Sequence, residues 1–175
     1  MGIEIERKFL IDTDKLPPLP HGYTIKQGYI LTADHTTVRV RIRNQDAFLT
    51  IKGKSTGASR LEFEYPIPLH DAHDMLEALC QSAVVEKTRY LVEHEGHTWE
   101  VDVFEGSNKG LVVAEVELDC EEETFALPSW VTKEVTDDIR YFNSNLIDNP
   151  LQRMAVGRSA LPIGNALGVH HSNNL

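Results

Sequence analysis

Six segments of the chain carry charged side chains two residues apart: Glu4/Glu6/Lys8, Arg39/Arg41/Arg43, Glu62/Glu64, Lys87/Arg89, Glu100/Asp102 and Glu115/Glu117. Lys52 adds a cation from a seventh. The spacing puts each set on one face of an extended strand, because successive strand side chains point to opposite sides. An alternating charged face is ordinarily a solvated one. The signs here are segregated, however. Bases gather on Arg39 to Lys52 and on Lys87/Arg89; acids gather on Glu4/Glu6, Glu62/Glu64 and Glu115/Glu117. A surface made for solubility intersperses them. Segregated groups suit a polyanion, gripped by guanidinium and ammonium groups and by divalent metal ions held on carboxylates.

The elements that hold these residues read as strands. In Gly2 to Ile11, the residues Ile3, Ile5, Phe9 and Ile11 share one face with Arg7, while Glu4, Glu6 and Lys8 share the other. Pro17, Pro18, Pro20 and Gly22 make Asp12 to Gly22 a turn-rich connection. Tyr23 to Leu31 predicts a second strand, with Gly28 as a candidate bulge. Thr37 to Arg43 sets Val38, Val40 and Ile42 against its arginines, and Asn44-Gln45-Asp46 turns it back as Ala47 to Lys54. Arg60 to Pro68 is a strand whose regular pairing should end at Pro66 and Pro68. His70 to Ala83 changes to helical spacing through Met75, Leu76, Leu79 and Cys80. Val84 to Glu93, Thr98 to Glu105 and Leu111 to Cys120 return to strand. Glu121 to Trp130 predicts a short helix broken by Pro128, and Thr136 an N-cap for a helix to about Asp148. Pro150 to Arg158 adds a turn, and Leu161 to Leu175 is expected as a loose tail.

About eight strands with short links, and helices between and after them, predict a mainly β (α+β) chain. Closing the sheet into an eight-stranded antiparallel barrel removes its edges. The expected organisation is one domain over residues 1–160 and a flexible tail over 161–175. With helices packed outside, the apolar strand faces lie beneath them and the charges line the interior. Burying unpaired charge costs several kcal/mol per ion, so the interior should be wet and its charge should serve binding. A basic cluster in a confined tunnel suits a short, dense anion such as triphosphate.

Composition excludes several other classes. The 175 residues, 41% of them hydrophobic, suit one domain with a true core. A formal charge of -10 argues against general affinity for nucleic acid or anionic membrane. No apolar run approaches the roughly 18 residues of a membrane span. The charged N-terminus does not read as a secretory signal, and Glu6 stands where an acylation motif wants Ser or Thr. Cys80 and Cys120 are too few for a disulfide framework and are expected as free thiols of a cytoplasmic protein. His70 and His73, beside Asp71 and Asp74, have zinc-like spacing but are expected at a solvated helix start. Trp99 and Trp130 should pack the barrel's outer face, and Cys80 should pack with the helix.

The opening Glu4-x-Glu6-x-Lys8 resembles the E-x-E-x-K signature of the CYTH family, the triphosphate tunnel metalloenzymes. Further elements match in order: Arg39-Val40-Arg41, Thr50-Ile51-Lys52-Gly53, Glu62-Phe63-Glu64, Glu86-Lys87-Thr88-Arg89-Tyr90, Asp102-Val103-Phe104, Ala114-Glu115-Val116-Glu117 and Lys133-Glu134-Val135-Thr136. The likeness runs from about residue 3 to 150 and is strongest to small bacterial members that act on inorganic triphosphate. It implies an eight-stranded tunnel, dependence on Mg2+ or Mn2+ with two ions during turnover, and hydrolysis of triphosphate to diphosphate and phosphate. By resemblance and chemistry, Lys8, Arg39, Arg41, Lys52, Lys87 and Arg89 grip phosphate. Glu4, Glu6, Glu62, Glu64, Asp102, Glu115 and Glu117 are metal-ligand candidates, with Glu4, Glu6, Glu115 and Glu117 expected nearest the metals. Lys8, Tyr29 and Lys87 are the candidate catalytic groups, Tyr29 orienting water or simply packing. The alternatives are a class IV-type adenylate cyclase, a thiamine or nucleoside triphosphatase, and a non-catalytic polyphosphate-binding module. The outer surface leaves room for a homodimer.

Overall fold

The computed structural model describes residues 2–80, 84–143 and 146. Its strands are β1 (Ile3–Ile11), β2 (Tyr23–Ile30), β3 (Thr37–Arg43), β4 (Asp46–Lys52), β5 (Ser59–Ile67), β6 (Val85–His94), β7 (His97–Phe104), β8 (Val112–Glu117) and β9 (Val131–Glu134). The α-helix α1 (Leu69–Ala78) lies between β5 and β6, and Asn143 and Leu146 are helical as well. The strands pair antiparallel in the order β5-β4-β3-β2-β6-β7-β8-β1, and β1 returns to β5, closing an eight-stranded barrel. The edge of β1 opposite β8 is shared. Ile3 to Ile5 pair with β5, and Phe9 to Ile11 pair with the ninth strand, β9.

Local chemistry explains the turns. The β6–β7 link is Glu95-Gly96, both at positive φ (45° and 83°), as the tight two-residue turn matched to strand twist requires. Gly28 is not a bulge: β2 keeps register with β3 straight through the Gly28–Val40 pair. A Cβ there would lie 2.9 Å from Cys80 Sγ and 3.0 Å from Leu76 Cδ2. Glycine is what lets the end of α1 sit directly on β2. Pro66 does not end pairing either. It lies within β5 opposite Phe48 of β4, and β5 meets β1 only at its first residues, so the missing N–H faces a free edge.

Most strands bury both faces, while β5 leaves Leu61, Phe63 and Tyr65 exposed. Outside, Val40, Ile42 and Ala47 pack under Ala72 and Leu76 of α1. On the opposite flank Phe9, Trp99, Val101, Ala114 and Val116 form a second cluster. Its cover is loop rather than helix: Leu16 and Leu19 from one connection, Phe125 and Trp130 from another. Trp99 and Trp130 meet edge to face at 5.5 Å. The helix expected over Glu121 to Trp130 is therefore absent. Phe125 and Trp130 are spaced to drop separately onto Trp99, and Glu123 accepts from the Asp119 N–H and meets His97. Thr136 does not cap a helix. Its Oγ1 accepts from the Lys8 N–H, and a short 3-10 turn at Ile139–Tyr141 is capped instead by Asp138. The turn and tail expected beyond Pro150 lie outside the described residues, as does the end of the helix expected to Asp148. Inside, one end of the barrel is closed by Val85, Phe104, Leu111, Val113 and Leu146, with Leu10 and Tyr141 against them.

Candidate active site

Period two carries the interior upward from that apolar floor. On β1, Leu10 gives way to Lys8, Glu6 and Glu4; on β8, Val113 gives way to Glu115 and Glu117; on β6, Val85 gives way to Lys87 and Arg89. The cavity above encloses about 750 Å³. Of the residues expected from sequence, Glu4, Glu6, Lys8, Tyr29, Arg39, Arg41, Lys52, Glu62, Glu64, Arg89, Glu115 and Glu117 line it, with Arg43 and Glu100. Lys87 and Asp102 do not reach the lining; they lie behind it at 2% and 0% exposure.

The deep layer is an ion-pair lattice. Asp102 accepts from Arg89 through both oxygens, at 2.7 and 2.8 Å, and meets Lys87 Nζ at 2.7 Å. Burial pushes the Asp102 carboxyl up, but Lys87 and Arg89 outweigh it and hold it below its usual range. Lys87 is pushed down to about 7 by burial, against the pull of Asp102 and with the help of Arg89 and Arg41. Arg89 also pairs with Glu100.

Two further clusters complete the walls. Lys52 Nζ is 2.8 Å from both oxygens of Glu4, which also accepts from Arg60 Nε at 3.2 Å. These cations override burial and hold Glu4 below the ordinary carboxylate range. Arg39 Nη2 donates to Thr50 Oγ1 at 3.3 Å, and that hydroxyl donates to Glu64 at 2.9 Å. Lys8 Nζ lies 3.4 Å from Glu115 and donates to the Tyr141 carbonyl. Thr136, Asp137, Ile139, Phe142 and Asn143 close over this side of the cavity.

The carboxylates on β1 and β8 face one another across the ladder, Glu6 opposite Glu117 and Lys8 opposite Glu115. Burial and the neighbouring Glu115 and Glu4 raise the Glu6 carboxyl well above its usual range. Lys8, with Arg89 and Lys87 from the deep layer, outweighs burial and holds the Glu115 carboxyl well below its usual range. Carboxyl groups close enough to raise one another repel when both are ionised, and a cation between them would relieve that repulsion. Among the described residues no three acidic or imidazole groups converge as a ready-made metal cage. Oxygen donors in ones and twos fit Mg2+ or Mn2+, which complete their shells with water and phosphate oxygens.

The sequence pattern missed Arg60, Thr50 and Gln27 as site residues. Arg60 shares its face with Glu62 and Glu64, so the same alternation reaches it. Gln27 is fully buried, two residues before Tyr29 on β2, and bonds to both Tyr29 and Arg41. His70, by contrast, pairs with Asp74 on the exposed face of α1.

Comparison with known proteins places this barrel. The chain is 51% identical over 150 residues to an inorganic triphosphatase of Acetivibrio thermocellus, covering 86% of this chain and 96% of that protein. It is 38% identical over 147 residues to an inorganic triphosphatase of Nitrosomonas europaea, covering 82% and 95%. A crystal structure of an inorganic triphosphatase superposes with a TM-score of 0.61 at 35% identity, covering 84% of this chain and 95% of that one. The CYTH domain model matches residues 2–147. With its eight-stranded closure and charged interior, the chain belongs to the CYTH domain family.

Proposed function

We propose that this chain hydrolyses inorganic triphosphate to diphosphate and phosphate inside the barrel, in the cytoplasm and with a divalent metal. The observation that carries the reading is the cavity itself. Lys8, Arg39, Arg41, Lys52, Arg60 and Arg89 converge on one space together with Glu4, Glu6, Glu115 and Glu117, in a chain half identical to an inorganic triphosphatase. Guanidinium forks meet phosphate oxygens two at a time, and the ring of cations fits a short linear polyanion held along its length.

In this reading the cations hold the substrate so that a terminal phosphorus lies open to water. Water adds there, the bridging P–O bond breaks, and diphosphate leaves with its charge already matched by arginine and lysine. Glu6 and Glu115, with Glu4, Glu117 and the outer Glu62 and Glu64, would hold Mg2+ or Mn2+. Two such ions, when bound, supply positive charge against phosphate oxygens and acidify water. Tyr29 and Lys8 face the cavity and orient the water. Lys87 and Asp102 act from behind, holding Arg89 and the floor in place.

The test is phosphate release from triphosphate, ATP and diphosphate, each with Mg2+, Mn2+ or EDTA. Rapid metal-dependent release from triphosphate, with ATP slow and diphosphate untouched, is the expected result. Cyclic AMP from ATP would make the chain a cyclase, preference for thiamine or nucleoside triphosphate would change the substrate, and tight binding without release would make it a polyphosphate-binding module.

A further inference from the structure

Inside the barrel, nearly every buried cation faces a carboxylate. Lys8 meets Glu115, Arg39 meets Glu64, Lys52 and Arg60 meet Glu4, and Lys87 and Arg89 meet Asp102. Arg41 is different. Among the described residues its hydrogen bond goes to a neutral group, Arg41 Nε donating to Gln27 Oε1 at 2.8 Å. Gln27 is 0% exposed and lies directly opposite Arg41 in the β2–β3 ladder. An arginine only donates, so the orientation of the Gln27 amide is fixed: its oxygen faces Arg41 and its nitrogen faces Tyr29. Gln27 Nε2 donates to the Tyr29 hydroxyl oxygen at 3.2 Å. That oxygen is occupied as an acceptor, which leaves the Tyr29 proton to be donated elsewhere, and both Tyr29 and Arg41 line the cavity.

We propose that Gln27 is a positioning residue: its neutral amide keeps the Arg41 charge uncompensated for an incoming phosphate and turns the Tyr29 hydroxyl into a donor aimed at the substrate. The inference rests on the triphosphatase reading. A carboxylate in its place would bind Arg41 as an ion pair and accept the Tyr29 proton, withdrawing both groups from the substrate. Bulk and burial alone do not explain the choice of an amide, since Ile25 fills the same face of β2 one step away at 2% exposure.

The experiment measures KM, kcat and Tm for the wild type, Gln27→Glu, Gln27→Met, Arg41→Ala and the double variant Gln27→Glu/Arg41→Ala, with triphosphate and Mg2+ or Mn2+. Gln27→Glu is expected to keep or raise Tm, because it gains an ion pair, while KM rises roughly tenfold and kcat falls, the size of a lost charge-assisted hydrogen bond. Gln27→Met raises KM without the gain in Tm. In the Arg41→Ala background, Gln27→Glu leaves KM unchanged, because the KM effect passes through Arg41, while the fall in kcat that passes through Tyr29 remains. Wild-type KM and kcat in a folded Gln27→Glu, or an equal KM penalty with and without Arg41, overturns the inference. If Gln27→Glu does not fold, wild-type KM in Gln27→Met overturns it instead. Failure of the wild type itself to release phosphate from triphosphate defeats the functional reading and is seen before any variant is compared.

Discussion

Lys87 carries an ammonium where water hardly reaches, 2.7 Å from Asp102 and 5.4 Å from the centre of the Phe104 ring. Burial, with Arg89 and Arg41 near by, pushes it down to about 7, whereas the unfolded chain keeps a lysine proton to about 10.4. The folded state therefore gives up this proton first. Its cost to stability is full below pH 7 and is relieved as pH rises from 7 towards 10. Lys87→Met lacks that slope, so the Tm of the wild type relative to Lys87→Met should climb between pH 7 and pH 9 in thermal melts; a falling difference would contradict the assignment. The residues legible in the sequence are those like Lys87, whose charge repeats at period two. Gln27 and Thr50 were invisible for the opposite reason. A neutral side chain on a strand carries no sign, and their roles come from cross-strand partners, Arg41 and Glu64, that only the register supplies.

Most of the strands were easy to read because the interior face carries charge and the exterior face is apolar, so a one-residue slip would invert both; β2 is the exception, with Ile25, Gln27 and Tyr29 on the inner face and Lys26 on the other. The covering pieces were harder. β9 (Val131–Glu134) is four residues long with one half-buried position, too little for a pattern, and it is held by its ladder with β1, across which Arg7 pairs with Glu134. Glu121 to Trp130 has helix-forming residues, but Phe125 and Trp130 are pulled onto Trp99 one at a time. Gly28 looked like a bulge because glycine in a strand has two common meanings, and sequence does not distinguish a bulge from close approach. The two meanings separate by experiment. Gly28→Ala should push α1 off β2 and cost about 1–3 kcal/mol in urea unfolding, with the strand pairing intact. A neutral substitution would mean that Cys80 and Leu76 move aside freely.

The chain carries a formal charge of -10 and yet concentrates cations in its cavity, so an anionic ligand must be drawn by the interior and not by the surface. Triphosphate should therefore stabilise the fold specifically. At a hundredfold excess over Kd the gain is about 2.7 kcal/mol, a rise of several degrees in Tm by scanning fluorimetry, and Arg41→Ala should lose most of it. No helix among the described residues is long and apolar enough to cross a membrane. The closure of the barrel sets a timetable for its making. β1 leaves the ribosome before the other strands of the barrel, but its main partner β8 begins at Val112 and its second cover, β9, at Val131. At roughly 5–20 residues per second, β1 waits about 5–20 s for β8. In that interval β2 to β5 can zip as hairpins and β5 can take β1 along Ile3 to Ile5, leaving a trough with Glu6 and Lys8 open to water. Until then the nascent barrel carries its charge in solvent, and the dry lattice around Asp102 is assembled only when β6, β7 and β8 roll the trough shut.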